Sequence, residues 1–281
     1  MSDSIKVLVA TQDFMVTQEA FNIVESEREG VLATRPVPNE LDTYYQSDAY
    51  ISHTDGGNGI MDRIYRWAKQ YNLKSKLRGI HALGARKGAL LDIGAGTGAF
   101  MEASKRSGWK VWGVEPNAAA RKRCKEKGLN VTSAVSQLPD QQFDCITLWH
   151  VLEHVQDLDG QLGWLESHLT DSGLAVIAVP NYRSLDARIY GSFWAAYDTP
   201  RHLWHFSPEG IRRTLEPFGL VQVSMRPLWL DAFYVSWLSE RYKGSRLAAV
   251  KGFAIGLLSN LAAVFTRQPS SVTYYFRKRE A

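Results

Sequence analysis

An apolar strand that runs through three glycines into a helix, LLDIGAGTGAF at residues 90–100, restricts this chain more than any other stretch. Glycines at a strand tip let the backbone approach something closely, and such turns lie at the carboxyl edge of a parallel sheet. The surrounding pattern agrees. ALLDI (89–93) predicts a strand, AFMEASKRS (99–107) a helix, KVWGVE (110–115) a strand, and NAAARKRCKEK (117–127) a helix closed by Gly128. A strand near NVTSA, another at FDCITLWH (143–150), a helix ending near His168 and a strand at GLAVIAVPN (173–181) follow. Short apolar strands alternating with amphipathic helices imply crossover connections, hence an α/β, doubly wound, mainly parallel sheet covered on both faces. SPEGIRRTLEPFG announces a further helix with Ser207 as N-cap and Pro208 at its first position, and VQVSM (221–225) and VTYYFRK (272–278) supply the last strands.

Three segments surround this pattern. Residues 1–56 hold short β-like runs, IKVLVA, FNIVES and GVLATRPVP, and predict a β-rich N-terminal extension folded as a small antiparallel ribbon. Residues 57–80 form a connecting helix, with Ile60, Ile64, Trp67, Ala68 and Tyr71 at helical spacing after the GGNG break. The main domain then occupies 81–281 and carries a helical insert at 230–268, YVSWLSERY followed by LAAVKGFAIGLLSNLAAVF.

With 45% hydrophobic and 22% charged residues, the chain is neither a disordered nor a multi-span membrane composition. The net charge of +4 is spread along the chain and reads as a solvated surface, with no nucleic-acid partner expected. Two cysteines, Cys124 and Cys145, cannot make a disulfide framework or a cysteine zinc site. The opening MSDSIKVLVATQDF lacks the pattern of a secretory signal, so a cytoplasmic location is the expectation. The longest apolar stretch, Gly252–Phe265, contains Ser259 and Asn260 and falls short of the roughly 20 residues that span a bilayer.

Charge decides what the glycine loop holds. Gly94, Gly96 and Ala99 also satisfy a relaxed dinucleotide fingerprint, but a dinucleotide would lay its pyrophosphate beside Asp92, two residues before the first glycine. S-adenosylmethionine (SAM) carries an ammonium and a sulfonium and no phosphate, so a carboxylate there attracts it.

Four stretches in order, LLDIGAGTG, GVEPN, FDCITLWHVLEHV and GLAVIAVPN, resemble the class I SAM-dependent methyltransferases over about residues 85–225 and at the final strand. Within that family the chain is similar to the small-molecule branch of the ubiquinone-biosynthesis type. It implies a seven-stranded sheet, and a methyl group transferred from SAM to an oxygen or carbon of a small or lipid-like molecule. It also implies that Glu115, with Pro116 beside it, holds the ribose hydroxyls, and that Ser133 and Ala134 lie near the adenine. Asp92, Gly94, Ala95, Gly96, Thr97 and Gly98 would form the loop around the cofactor, with Trp149 across from it.

In WHVLEHV, residues His150, Glu153 and His154 spell H-x-x-E-H, the signature of one class of zinc hydrolases. That chemistry needs both histidines on one helix and a distant third ligand, and the sequence identifies none. Ubiquinone-biosynthesis relatives have a glutamate where His150 stands. A nitrogen donor in its place weakens the case for magnesium, so no divalent metal is expected. His150, at the strand tip as WHVLEHV opens the next helix, is instead expected to point into the cleft as a general base, with His202 or His205 as substitutes.

The connection at 182–206, YRSLDARIYGSFWAAYDTPRHLWHF, is rich in aromatic rings and predicts a lid over the acceptor, with Tyr197, Arg201 and His205 touching substrate. The front segment resembles the region that follows a cysteine zinc ribbon in relatives, and no cysteine stands near Glu25 or at Arg28–Gly30, so a ribbon that has lost its metal is expected. Tyr44, Tyr45, Tyr50 and His53 would close over the cofactor, or pack on the surface. The insert at 230–268 packs on the core, forms a homodimer face or meets a lipid-like substrate or membrane surface, where Lys243, Arg246 and Lys251 suit anionic headgroups. Rival readings are a protein or nucleic-acid methyltransferase, which lacks its usual Asn/Asp-Pro-Pro-aromatic tetrapeptide here, a catalytically silent SAM-binding protein, and a dehydrogenase.

Overall fold

The computed structural model describes residues 6–45 and 60–279. Three N-terminal strands come first, β1 (Val7–Gln12), β2 (Ala20–Glu25) and β3 (Val31–Arg35), and then helix α1 (Ile60–Ala82). Alternation follows as β4 (Ala89–Ile93), α2 (Ala99–Arg106), β5 (Lys110–Val114), α3 (Ala118–Glu126), β6 (Val131–Thr132), β7 (Phe143–Trp149), α4 (Leu158–His168) and β8 (Leu169–Pro180). The remainder is α5 (Leu185–Tyr190), β9 (Trp204–Phe206), α6 (Pro208–Leu215), β10 (Leu220–Pro227), α7 (Asp231–Tyr242), α8 (Ala248–Thr266) and β11 (Ser271–Lys278).

The main sheet has the order β10-β11-β8-β7-β4-β5-β6, parallel except where β11 runs against both neighbours. Successive residues of a strand face opposite sides, and the core divides accordingly. Leu91, Ile146 and Ile177 pack under α4 and α6, while Leu90, Cys145 and Val176 pack with Ile80 and Phe100 on the other face. All six are fully buried. At about 1.5–3 kcal/mol per buried aliphatic side chain, these two layers supply the drive that makes the alternating sequence a sheet. Side-chain caps set the helix starts. Asn117 accepts from the Ala120 amide at 3.0 Å, Asp157 from Gly160 at 2.9 Å and Ser207 from Gly210 at 3.0 Å, with Pro208 opening α6 as expected.

Three sequence expectations need correction. First, WHVLEHV does not open a helix. β7 ends at Trp149, His150 adopts a left-handed backbone with φ +56°, and only one 3-10 turn, Leu152–His154, follows before Asp157 caps α4. Second, the aromatic connection is not a free lid. Its β9 pairs antiparallel with β3, making a second sheet, β1-β2-β3-β9, with Leu32 opposite His205. Tyr190, Trp194 and Tyr197 pack with Ile23, Leu32 and Val235, and buried Asp186 accepts from the Trp194 indole at 2.8 Å, Ser259 at 2.6 Å and Ser270 at 2.7 Å. Rings placed in an apolar cluster stabilise the junction of the two sheets. Third, α8 begins at Ala248 and runs 19 residues with mean hydropathy 1.7, long and apolar enough by length and composition to cross a membrane.

Candidate functional site

The site is assembled where β4, β5 and β7 end. Gly94, Gly96 and Gly98 all have positive φ, which glycine adopts without strain. They serve different needs. A methyl group on Gly94 would lie 2.3 Å from Cγ2 of Val151, so that glycine permits the loop to pack against the segment after β7. Among the described residues, a methyl group on Gly96 would meet nothing within 4 Å. Gly96 therefore borders open space, as a cradle for a ligand requires.

Two carboxylates flank the loop. Glu115, directly after β5, accepts the Gly96 amide at 2.7 Å through one oxygen and the Asn117 amide at 2.8 Å through the other. Pro116, exposed beside it, and Glu115 both give their carbonyl oxygens to Arg121, at 2.8 and 2.6 Å. Asp92 pairs across the sheet with Thr147, whose hydroxyl donates to it at 2.6 Å. Burial pushes Asp92 up to about 7, against the pull of Thr147 and of the Lys76 ammonium. Burial likewise drives Lys76 down to about 8, opposed by Asp92 and Asp231. Lys76 comes from α1 and lies 4.1 Å over the Trp149 ring, whose indole N–H is buried and has no hydrogen-bond partner among the described residues. Ala95 is buried in the loop, the Thr97 carbonyl accepts from Lys127 at 2.9 Å, and Gly98 opens α2. After β6, the amide and hydroxyl of Ser133 both bond Gln137, and the Ala134 carbonyl accepts from Thr132.

His150 stands beside this cradle, held by two acids. Its Nδ1 is 3.3 Å from Glu153 and its Nε2 is 3.1 Å from Asp231, the first residue of α7. Burial opposes the charge on His150, but the two carboxylates outweigh it and raise the imidazole to about 9. The two carboxylates thus hold His150 above the ordinary imidazole range. Glu153 is 1% exposed and is held below the usual carboxylate range, burial being overcome by His150 and by the rings of His202 and His154.

A second cluster lies behind it. Ligand atoms of Glu153, His154 and His202 fall within 4.8 Å of one another. His154 donates Nδ1–H to the Arg201 carbonyl at 3.0 Å, and His202 donates Nδ1–H to the Ala196 carbonyl at 2.9 Å. Each ring keeps Nε2 as the nitrogen able to take a ligand, and one oxygen of Glu153 has no hydrogen-bond partner among the described residues. Of the H-x-x-E-H residues, Glu153 and His154 thus lie near His202, whereas His150 belongs to a different contact. Burial and the neighbouring His202 lower His154 to about 4.

The residues expected at substrate are engaged elsewhere. Arg201, 1% exposed, donates to Asp198 at 2.7 and 3.0 Å, to Asp13 at 3.0 Å and to the Tyr44 carbonyl at 3.0 Å, so four of its five N–H groups are engaged within the fold. His205 contacts the Thr34 hydroxyl at 2.9 Å, and burial and His202 lower it to about 3. Tyr197 is buried edge-on against His205. All three join the connection to the N-terminal sheet. Tyr44 is likewise buried and bonds Glu19, while the Tyr45 hydroxyl reaches His154 at 3.1 Å; Tyr50 and His53 lie outside the described residues. Sequence reasoning missed Lys76 and Asp231. An inward lysine at 76 amid the buried face of α1 was a readable signal for the first, and nothing local marked the second.

Residues 63–225 match the model of the methyltransferase domain family. A ubiquinone biosynthesis O-methyltransferase of Rhodopseudomonas palustris (strain BisA53) is 30% identical over 162 residues, 53% of this chain and 64% of the relative. The chain therefore spans less than two thirds of that relative's length. Among solved structures, a SAM dependent methyltransferase from Archaeoglobus fulgidus superposes with TM-score 0.52 at 24% identity, covering 75% of this chain and 94% of that one. Magnesium protoporphyrin IX methyltransferase from Synechocystis PCC 6803 with bound SAH superposes with TM-score 0.56 at 13% identity over 84% and 97%. With more than half of its length matched and the seven-stranded order in place, the chain belongs to the methyltransferase domain family and has the class I SAM-dependent methyltransferase fold.

Proposed function

We propose that this protein transfers a methyl group from SAM to an oxygen or carbon of a small or lipid-like molecule. The observation that carries the reading is the cradle at Gly96: open space at a strand tip, with Glu115 on one side and Asp92 behind. Two carboxyl groups suit a cationic donor and oppose a pyrophosphate. Glu115 would hold the ribose hydroxyls, and the partnerless Trp149 N–H would find an acceptor when the cleft fills. SAM supplies an electrophilic methyl carbon, and the surrounding residues orient the acceptor and exclude water.

His150 has the parts of an oriented base. Glu153 fixes Nδ1–H, and Nε2 becomes able to accept the acceptor's proton once its own proton has gone to solvent and an acceptor hydroxyl has displaced Asp231. The base works deprotonated, so kcat/KM should rise with pH through about 9 in the native enzyme. Asp231→Asn removes one of the two acids, and the rising limb should move down toward the ordinary imidazole value of about 6.5. An unmoved limb would take His150 out of the proton transfer. The proposed chemistry needs no metal ion, so turnover should survive EDTA; loss restored by zinc would instead give the Glu153–His154–His202 cluster a catalytic ion.

The direct test is transfer of label from methyl-tritiated SAM to soluble and lipid extracts. Labelled product in either extract supports the reading, whereas SAM binding without any transfer would leave a silent binding protein.

A further inference from the structure

We infer that the α7–α8 hairpin is a docking surface for an anionic lipid bilayer, lying in the plane of the interface. The inference extends the lipid-like reading of the acceptor without resting on it, because it concerns where the protein sits rather than what it methylates. Helix α8 is packed on one stripe only. Gly252, Gly256, Ser259 and Ala263 recur at helical spacing and are buried. A methyl group on Gly252 would come 2.5 Å from the Trp237 backbone, and one on Gly256 2.9 Å from that of Ala232, so α7 and α8 touch nearly backbone to backbone. Away from that stripe, Val250, Phe253, Leu257, Leu261 and Val264 form a second helical row that is 43–67% exposed, and Phe265 is 87% exposed. A solvated helix face of this size made of aliphatic and aromatic residues marks an interaction surface.

Charge selects the occupant. Within 231–268 the basic residues are Arg241, Lys243, Arg246, Lys251 and Arg267, and all are exposed. The only acids there are Asp231, which bonds His150, and Glu240, which is 4% exposed. No outward acid opposes an anionic surface, and cations cluster at the turn between the helices with another at the far end. A second copy of this chain fits poorly, since a two-fold contact through this face would bring like charges together. An anionic bilayer satisfies both features: its acyl boundary takes the apolar row and its headgroups take the cations.

The geometry favours lying on the membrane over crossing it. Ser259 donates to Asp186 at 2.6 Å, which ties the middle of α8 to the core. Its C-terminus leads within a few residues to β11, which pairs with both β8 and β10. A helix held at its middle and at one end cannot insert along the bilayer normal. Because α7 starts with Asp231 at His150, the docking helix also borders the acceptor side of the cleft.

The full-length protein should co-sediment with vesicles of phosphatidylcholine and phosphatidylglycerol, and less so with phosphatidylcholine alone or at high salt. Lys243→Gln, Arg246→Gln and Lys251→Gln together should weaken binding to anionic vesicles by roughly a hundredfold, each cation near such a surface counting for about fivefold. Leu257→Ser with Leu261→Ser, checked for an unchanged circular dichroism spectrum, should weaken it independently of charge. Absence of binding to anionic vesicles would overturn the inference. So would a dimer in solution that the Leu257→Ser, Leu261→Ser variant returns to a monomer, with no vesicle binding by the native protein. SAM affinity, measured by calorimetry in the same samples, reports on the methyltransferase reading separately.

Discussion

Replacing Arg201 with methionine should lower the stability of the fold by about 3–5 kcal/mol, the cost of leaving buried charges without their partner. The guanidinium is shared between Asp198 from its own connection and Asp13 from the N-terminal sheet, with the Tyr44 carbonyl completing its bonds. Methionine fills much of the same volume but leaves both acids to find other donors. Asp13 keeps the amides of Met15, Val16 and Thr17, so Asp198 suffers more. The melting temperature followed by circular dichroism should fall by on the order of 10 °C. Arg201→Lys should fall between the two, because an ammonium keeps the charge and loses the fork. An unchanged melting temperature would mean that the network adds nothing. The same residues set an acid limit. Burial raises Asp198, but Arg201 and His202 more than offset it, so its folded value lies below the ordinary carboxylate range. Its contribution is present above the unfolded value of about 4 and is lost as pH falls through the depressed one.

Glu115→Ala should weaken SAM binding roughly 100-fold, about 2.7 kcal/mol, within the range for hydrogen bonds made to a charged group. Before any ligand arrives, this carboxylate already braces the Gly96 and Asn117 amides, so its oxygens are positioned at the loop and not waiting in solvent. Truncation removes both the brace and the acceptor offered to the cofactor. Glu115→Gln keeps one oxygen and should retain part of the affinity. Calorimetry with SAM and with S-adenosylhomocysteine measures both. Equal affinities for native protein and Glu115→Ala would place the cofactor somewhere other than against Gly96.

The sheet was readable because its signal is local. Runs such as ALLDI and AVIAV are short and apolar; ALLDI became β4 as expected, while the strand that carries AVIAV begins at Leu169, four residues before the expected Gly173. The cradle was readable for the same reason, since Asp92 and the glycines lie within seven residues. The surroundings of His150 and Arg201 were not. His150 acquires its character from Asp231, 81 positions away, and Arg201 is committed to Asp13, 188 positions away. A histidine at a strand tip reads as a base from sequence, and the second acid, which raises its affinity for a proton, does not show there. The aromatic connection misled in a similar manner. Rings imply burial, but whether they cover a substrate or another strand depends on β3, some 170 residues earlier.

That strand pairing constrains how the protein can be rebuilt. Segments 7–35 and 182–206 fold as one body although the whole cofactor-binding region separates them in the chain. A graft that brings the latter from another enzyme to change acceptor preference would arrive without its edge partner. Asp13 and Thr34 would then face side chains chosen for a different neighbour. Recombination libraries built on this scaffold should therefore exchange the two stretches as a pair, treating a split gene fragment as a single unit of inheritance.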